Sequence, residues 1–216
     1  MTPQQLNLLA VVSLAACWGA FALTWLAGAI YNQSRAPAVE RTRRWFVRSG
    51  WVVVGVGWVA VPKADWESLA VHLTPWVRLL GLAILLAATA FTLWARLALG
   101  TMWSGAPAVK QEHQLRTSGP YGVTRHPIYT GMLGMMLGSL LLAGGGRWVL
   151  PFPVFLVFLE IKIRVEERLM QAEFPGDYPR YRQRVPKLIP GLRLVSRRGV
   201  TGRVGRLAAR FRQTGT

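Results

Sequence analysis

About 25 successive residues from Leu6 to Ile30 carry no charge, and Pro75 to Leu99 forms a second run of that length with Arg78 and Arg96 near its two ends. Wound as a helix, a run of about 20 residues crosses the roughly 30 Å hydrocarbon core of a bilayer. A helix also satisfies its own N–H and C=O groups where no water is present. These stretches therefore predict a membrane protein built from helices. Composition agrees, since 52% of the 216 residues are hydrophobic, too many for a chain of this size wetted on every side. Its ten tryptophans and 22 glycines fit membrane interfaces and helix packing. The net charge of +17 does not call for nucleic acid, because a phosphate-binding patch leaves the uncharged runs unexplained. Arginine-rich loops held against anionic lipid account for it. Cys17 is the only cysteine and lies inside the first run, which rules out a disulfide framework.

Met1 to Gln5 carries no basic residue, so the first run reads as a retained span and not as a cleaved signal. Arg35, Arg41, Arg43, Arg44 and Arg48 follow and place that loop in the cytoplasm, with the N-terminus outside. Trp45 to Pro62 is the expected second span, and its Gly55-Val56-Gly57 reads as a helix-packing feature. Lys63 to Thr74 is the weakly charged outer loop, and Pro75 to Leu99 the third span. Gly100 to Thr124 returns to the cytoplasmic side with Lys110, Glu112, His113 and Arg116. Ile128 to Leu142 and Trp148 to Ile161 are shorter runs joined by a glycine turn, expected as two short spans or a re-entrant hairpin. From Lys162 onward 14 basic residues face four acidic ones, which keeps the C-terminal part in the cytoplasm. The expected architecture is all-α: a polytopic transmembrane helical bundle of about five spans, the last two a short helical hairpin, with a cytoplasmic C-terminal cofactor-binding region. Residues 1–99 form the N-terminal spans, 100–190 the membrane-embedded catalytic region and 191–216 a basic, mobile tail.

Chemistry concentrates in two places. Gly119 to Gly131 sets an arginine, a histidine and two tyrosines around Pro120 and Pro127 where a polar loop meets an apolar helix. Pro127 suits a first helical position, and the peptide N–H groups after it make a positive end fit for a carboxylate or phosphate. Arg125 carries a planar fork matched to the same kind of anion, and His126 is held extended by the following proline. The second cluster is Glu160, Lys162, Glu166 and Glu167, at the end of the last apolar helix and in the turn beyond it. Carboxylates at a membrane boundary are costly unless paired or functional. Lys162 and Glu166 share a helix face, whereas Glu166 and Glu167 point about 100° apart, so one faces a site and the other an arginine or water. Both clusters emerge on the same side of one hairpin and are expected to be neighbours. No metal-ligand spacing and no nucleophile elbow is present.

Lys110-x-x-His113-x-Leu115, Gly119-Pro120-Tyr121, Arg125-His126-Pro127-x-Tyr129-x-Gly131, Glu166-Glu167, Phe174, Tyr178-x-x-Tyr181 and Arg184-Val185-Pro186, taken in order, resemble the isoprenylcysteine carboxyl methyltransferase family, which is grouped with the phospholipid N-methyltransferases. The resemblance covers about 80 residues, from Lys110 to Pro190. It implies a multi-span enzyme that uses S-adenosyl-L-methionine without a Rossmann domain, with a cofactor pocket open to the cytoplasm and a lipophilic acceptor arriving from the bilayer. Carried over, His113, Gln114, Leu115, Arg116, Tyr121, His126, Pro127, Ile128, Tyr129 and Glu166 would line the cofactor. Lys162 stands where eukaryotic members have a substrate-facing arginine, and Phe174-Pro175-Gly176 departs from the usual Phe-Gly. Arg125 is the candidate catalytic residue. Chemically, Arg125 or the helix start suits the cofactor's carboxylate, Glu166 its ammonium, and the rings of Tyr121 or Tyr129 its sulfonium. Methyl transfer by in-line displacement needs alignment and exclusion of water, but no metal.

Two other readings compete with this one. A sterol-reductase-like, nicotinamide-dependent membrane oxidoreductase shares a related C-terminal architecture, but its motif has Asn where this chain has Ile128. A non-enzymatic membrane protein would bind no cofactor. The expected partners are a lipophilic small molecule or lipid and the surrounding membrane lipids, with no nucleic acid. Richness in Ala, Gly, Arg and Trp points to a bacterial inner membrane as the location.

Overall fold

The computed structural model describes residues 2–35, 73–100, 115–144 and 151–191. Among these residues the only regular elements are helices: α1 (Pro3–Arg35), α2 (Pro75–Leu99), the single turn α3 (Pro120–Val123), α4 (Pro127–Ala143), α5 (Pro151–Glu173) and α6 (Asp177–Arg184). Two of them, α1 and α2, are long and apolar enough to cross a membrane, and α4 is a shorter apolar helix.

The α2–α4 contact organises the bundle, and small residues create it. Gly81, Leu85, Ala88 and Thr92 recur every three or four residues along one face of α2. On α4, Gly131, Gly134, Gly138 and Leu142 do the same. A side chain at Gly138 would lie 2.5 Å from the Leu85 amide nitrogen, and one at Gly81 2.6 Å from that of Leu142, so the two backbones touch. Thr89 and Thr92 are buried on α2 because their hydroxyls donate to carbonyls one turn back, at 2.7 Å each.

Because Gly81 meets Leu142 and Thr92 meets Gly131, α2 and α4 are antiparallel. α1 runs parallel to α2. At one end the Arg78 guanidinium donates to the carbonyls of Leu142 (3.0 Å) and Leu6 (3.4 Å), and at the other Gly28 lies against the Arg96 guanidinium. Ala10 and Cys17 of α1 join Leu85, Met135 and Leu142 in one core, and Trp18 Nε1 donates to Ser139 Oγ at 3.0 Å. The expected second span, Trp45–Pro62, lies outside the described residues, as do the Gly55-Val56-Gly57 feature and most of the 191–216 tail.

α5 corrects the expected boundary. The apolar run ends near Ile161, but the helix continues to Glu173, so Glu166 and Glu167 sit within a helix and not in a turn. Lys162–Glu173 is rich in good helix formers, and Lys162–Glu166 and Arg164–Glu160 pair across one turn. The helix stops where Phe174 and Pro175 follow. Along one side of α5, Val154, Val157 and Ile161 are exposed and apolar, and Arg164 and Arg168 continue the stripe. The change from exposed apolar to exposed cationic side chains marks the level where lipid gives way to head groups and water.

Candidate functional site

The site forms at the end of the bundle where α4 begins. Pro127 is the first residue of α4, as its missing N–H predicts, and His126 precedes it with φ −124° and ψ 62°. That ψ falls short of the extended value expected of a residue before proline. His126 instead turns its ring back over the helix, where it stacks on Tyr129 with centroids 5.7 Å apart and planes 12° from parallel.

The two glutamates of α5 divide as their 100° separation predicts. Glu167 Oε1 accepts from Arg125 Nε at 2.9 Å and Arg125 Nη2 at 2.7 Å, and His126 Nε2 lies 3.4 Å from it. Glu166 Oε1 accepts from the Tyr129 hydroxyl at 2.5 Å, with Lys162 Nζ 3.5 Å away, and its Oε2 lies 3.8 Å from His126 Nδ1. His126 thus stands between the two carboxylates. Burial works to raise the Glu167 carboxyl, but hydrogen bonds from His126 and Arg125 and their charges outweigh it and bring it down to about 2. Glu167 has 12% of its side chain exposed and Glu166 26%, so Glu166 is the carboxylate with an oxygen to offer a ligand.

Arg125 is fully engaged within the protein. Besides its fork on Glu167, its Nη1 donates to the carbonyls of Val185 (2.6 Å) and Arg182 (3.1 Å), and only 8% of the side chain is exposed. The anion expected at this helix start meets the chain's own carbonyls. Residues 185–188 form a strap along it: Arg125 N–H donates to Pro186 O (2.8 Å), His126 N–H to Lys187 O (3.2 Å) and Thr130 Oγ1 to Leu188 O (2.6 Å). Lys187 Nζ then reaches Glu160 Oε2 at 2.6 Å. α6 leads into the strap and is tied to α3, with the Tyr181 hydroxyl donating to Tyr121 O at 2.6 Å.

Of the remaining expected site residues, Tyr121 lies within electrostatic reach of Glu166 and Arg96. Burial first, then Tyr181 and Glu166, hold its hydroxyl neutral far above the ordinary range. Pro127 is buried, and Ile128 and Tyr129 pack on the Met132, Phe155 and Leu159 cluster that fills the gap between α4 and α5. Leu115 is half-buried and Arg116 exposed, whereas His113 and Gln114 lie outside the described residues. The sequence reading missed the strap and the backbone partners of Arg125. Arg184-Val185-Pro186 stood in the motif set without a role, and backbone acceptors leave no residue-type signal.

The family model described as the isoprenylcysteine carboxyl methyltransferase (ICMT) family matches residues 79–172. Among curated proteins, the chain is similar to protein-S-isoprenylcysteine O-methyltransferase of Schizosaccharomyces pombe, with 36% identity over 81 residues, 37% of this chain and 34% of that one. It is similar to the cobalt-zinc-cadmium resistance protein CzcN of Cupriavidus metallidurans, with 33% identity over 87 residues, 39% of each. A third relative is protein-S-isoprenylcysteine O-methyltransferase B of Arabidopsis thaliana, at 27% identity over 118 residues, 53% of this chain and 60% of that one. The chain therefore spans between 34% and 60% of the length of these relatives. A solved structure of the eukaryotic intramembrane Ras methyltransferase ICMT shares the fold at a TM-score of 0.50 and 21% identity, over 68% of this chain and 51% of that one. The segment that matches the isoprenylcysteine carboxyl methyltransferase family model, residues 79–172, carries Arg125, His126, Tyr129, Lys162, Glu166 and Glu167.

Proposed function

We propose that this chain is an integral membrane methyltransferase that takes its methyl group from S-adenosyl-L-methionine and passes it to a lipophilic acceptor at the cytoplasmic face. The observation that carries the reading is the meeting of Glu166 and Glu167 with the Arg125–Tyr129 motif, inside the family-matched segment. The residues present fit the cofactor's chemistry. Glu166, the more exposed carboxylate, suits an ammonium group, and the rings of Tyr129 and Tyr121 offer faces to a positive charge. When bound, the cofactor supplies an electrophilic methyl group on a cationic sulfur.

The chain's own residues bind, orient and shield. Arg125 positions: it fixes Glu167, the strap and, through Glu167, His126, and it leaves the cofactor's carboxylate to the segment from His113 to Arg116. His126, Pro127, Ile128 and Tyr129 line the cofactor side, and Lys162 faces the acceptor. The acceptor head is a carboxylate, thiol or amine on an apolar body. The carboxyl methyltransferase description of the matching family model, with the O-methyltransferase names of the Schizosaccharomyces and Arabidopsis relatives, favours a carboxylate, which attacks without a base. The exposed stripe of α5 puts Glu166 within about two turns of the lipid boundary, so an acceptor anchored in the bilayer reaches it with its head in water. About five spans, with the N-terminus outside, complete this arrangement.

Calorimetry of S-adenosyl-L-methionine binding to the detergent-purified protein tests the reading. Saturable binding is expected, with loss of it in Glu166→Ala and His126→Ala variants. A folded protein that binds none would refute it.

A further inference from the structure

Lys162 Nζ lies 3.5 Å from Glu166 Oε1 and 5.0 Å from the centre of the Tyr129 ring, and the Tyr129 hydroxyl donates to that same oxygen at 2.5 Å. A carboxylate beside an aromatic face is the combination that recognises a cation. The protein's own ammonium is thus seated where that recognition is strongest. Only 17% of the Lys162 side chain is exposed, and Lys162 is one helical turn before Glu166, so its four-carbon stem can swing the charge away without any movement of the backbone.

We infer that Lys162 is an internal stand-in for the ligand's cation, displaced from Glu166 and Tyr129 when the cofactor binds. This rests on the methyltransferase reading and adds an order of events to it. Two positive groups within a few ångströms of one carboxylate repel, so the incoming cation expels the Lys162 ammonium from that place. The freed ammonium is then available to an anionic acceptor only after the cofactor has entered. Lys162 is thereby a specificity residue whose charge opposes the first ligand and attracts the second.

The sign of one measurement separates this from the simpler view that Lys162 helps to hold the cofactor. By calorimetry, Lys162→Met is expected to bind S-adenosyl-L-methionine roughly five- to thirtyfold tighter than the parent, the range for losing a part-exposed ion pair and a cation–π contact as competitors. Lys162→Arg keeps the charge and is expected to stay within about threefold of the parent. Lys162→Gln repeats the test should the methionine variant fold poorly. A matching gain for S-adenosylhomocysteine, which has the ammonium but no sulfonium, identifies the ammonium as the displacing cation. A gain confined to S-adenosyl-L-methionine identifies the sulfonium, and either result upholds displacement. Unchanged or weaker binding in both neutral variants, with the parent binding normally, overturns this inference and leaves the methyltransferase reading intact. Absence of binding in the parent and in both neutral variants overturns the two together.

Discussion

Gly138→Ala tests whether the α2–α4 contact sets the geometry on which the site depends. A Cβ built at Gly138 lies 2.5 Å from the Leu85 nitrogen and 2.8 Å from both Gly81 O and Leu85 Cα, against 3.4 Å for an ordinary contact. The obstacles are backbone atoms, so no rotamer change relieves them and the helices must part by nearly 1 Å. A gap of that size forfeits about a quarter to a half of the dispersion energy of each atom pair it opens. Overpacking typically costs 1–3 kcal/mol, and alanine returns about 1 kcal/mol of helix propensity. With three backbone atoms of α2 struck at once we take the upper end, a net loss of about 2 kcal/mol, or a melting point lower by roughly 4–8 °C. The assay is thermal unfolding of the detergent-purified protein followed by circular dichroism. Gly19→Ala is the control: nothing lies within 4 Å of its Cβ, so its melting point should hold or rise. Gly131→Ala provides a second check. Its Cβ would collide with Thr92 Oγ1, a side-chain atom, so adding Thr92→Ala should recover part of the loss, whereas no side-chain truncation rescues Gly138→Ala. A Gly138→Ala protein that melts at or above the parent would refute the reasoning.

The Glu167 carboxyl is held down to about 2 in the folded protein against an ordinary 4.5, so it stabilises the fold above pH 4.5 and loses that contribution as pH falls toward 2. A stabilisation on the order of 2–3 kcal/mol is expected to vanish in that window, and the melting point of Glu167→Gln should vary less with pH there than that of the parent. Arg125→Gln removes the donors that reach the Arg182 and Val185 carbonyls, so the strap should loosen. Limited trypsin digestion is expected to cut after Arg182, Arg184 or Lys187 several times faster than in the parent, while Arg125→Lys protects only partly. Equal digestion rates in parent and variant would show that Arg125 does not hold the strap.

What the sequence disclosed, and what it hid, follows from the kind of interaction involved. The start of α4 was readable because proline announces a first helical turn, and the meeting of the two clusters followed from both emerging at one end of a hairpin. The true end of α5 was not readable from hydropathy, which tells where lipid stops and not where hydrogen bonding stops. Propensity and one-turn ion pairs carry that helix 12 residues past Ile161, to Glu173. The glycine seam was legible in principle, since Gly81 and Ala88 on one run and Gly131, Gly134 and Gly138 on the other keep helical spacing. Only the structure shows that these two faces meet. The environment of Arg125 was hidden, because two of its acceptors are backbone carbonyls and every residue type carries one.

The two sides of the site are held by different means. α4 is fixed to α2 by backbone contact at glycines, which leaves the start of α4, with His126 and Tyr129, little freedom to shift. α5 faces α4 across Met132, Phe155 and Leu159, bulky flexible or aromatic side chains that fill a wider gap and specify its width less sharply. The polar contacts at the end of the bundle where α4 begins must then set where α5 stands: Arg125 on Glu167, Lys187 on Glu160 and Tyr129 on Glu166. A ligand that competes for Glu166 therefore acts on one of the ties that locate α5. Binding of a cation at Glu166 and the width of the apolar gap between α4 and α5 are coupled through that tie, so a change at either one alters the other.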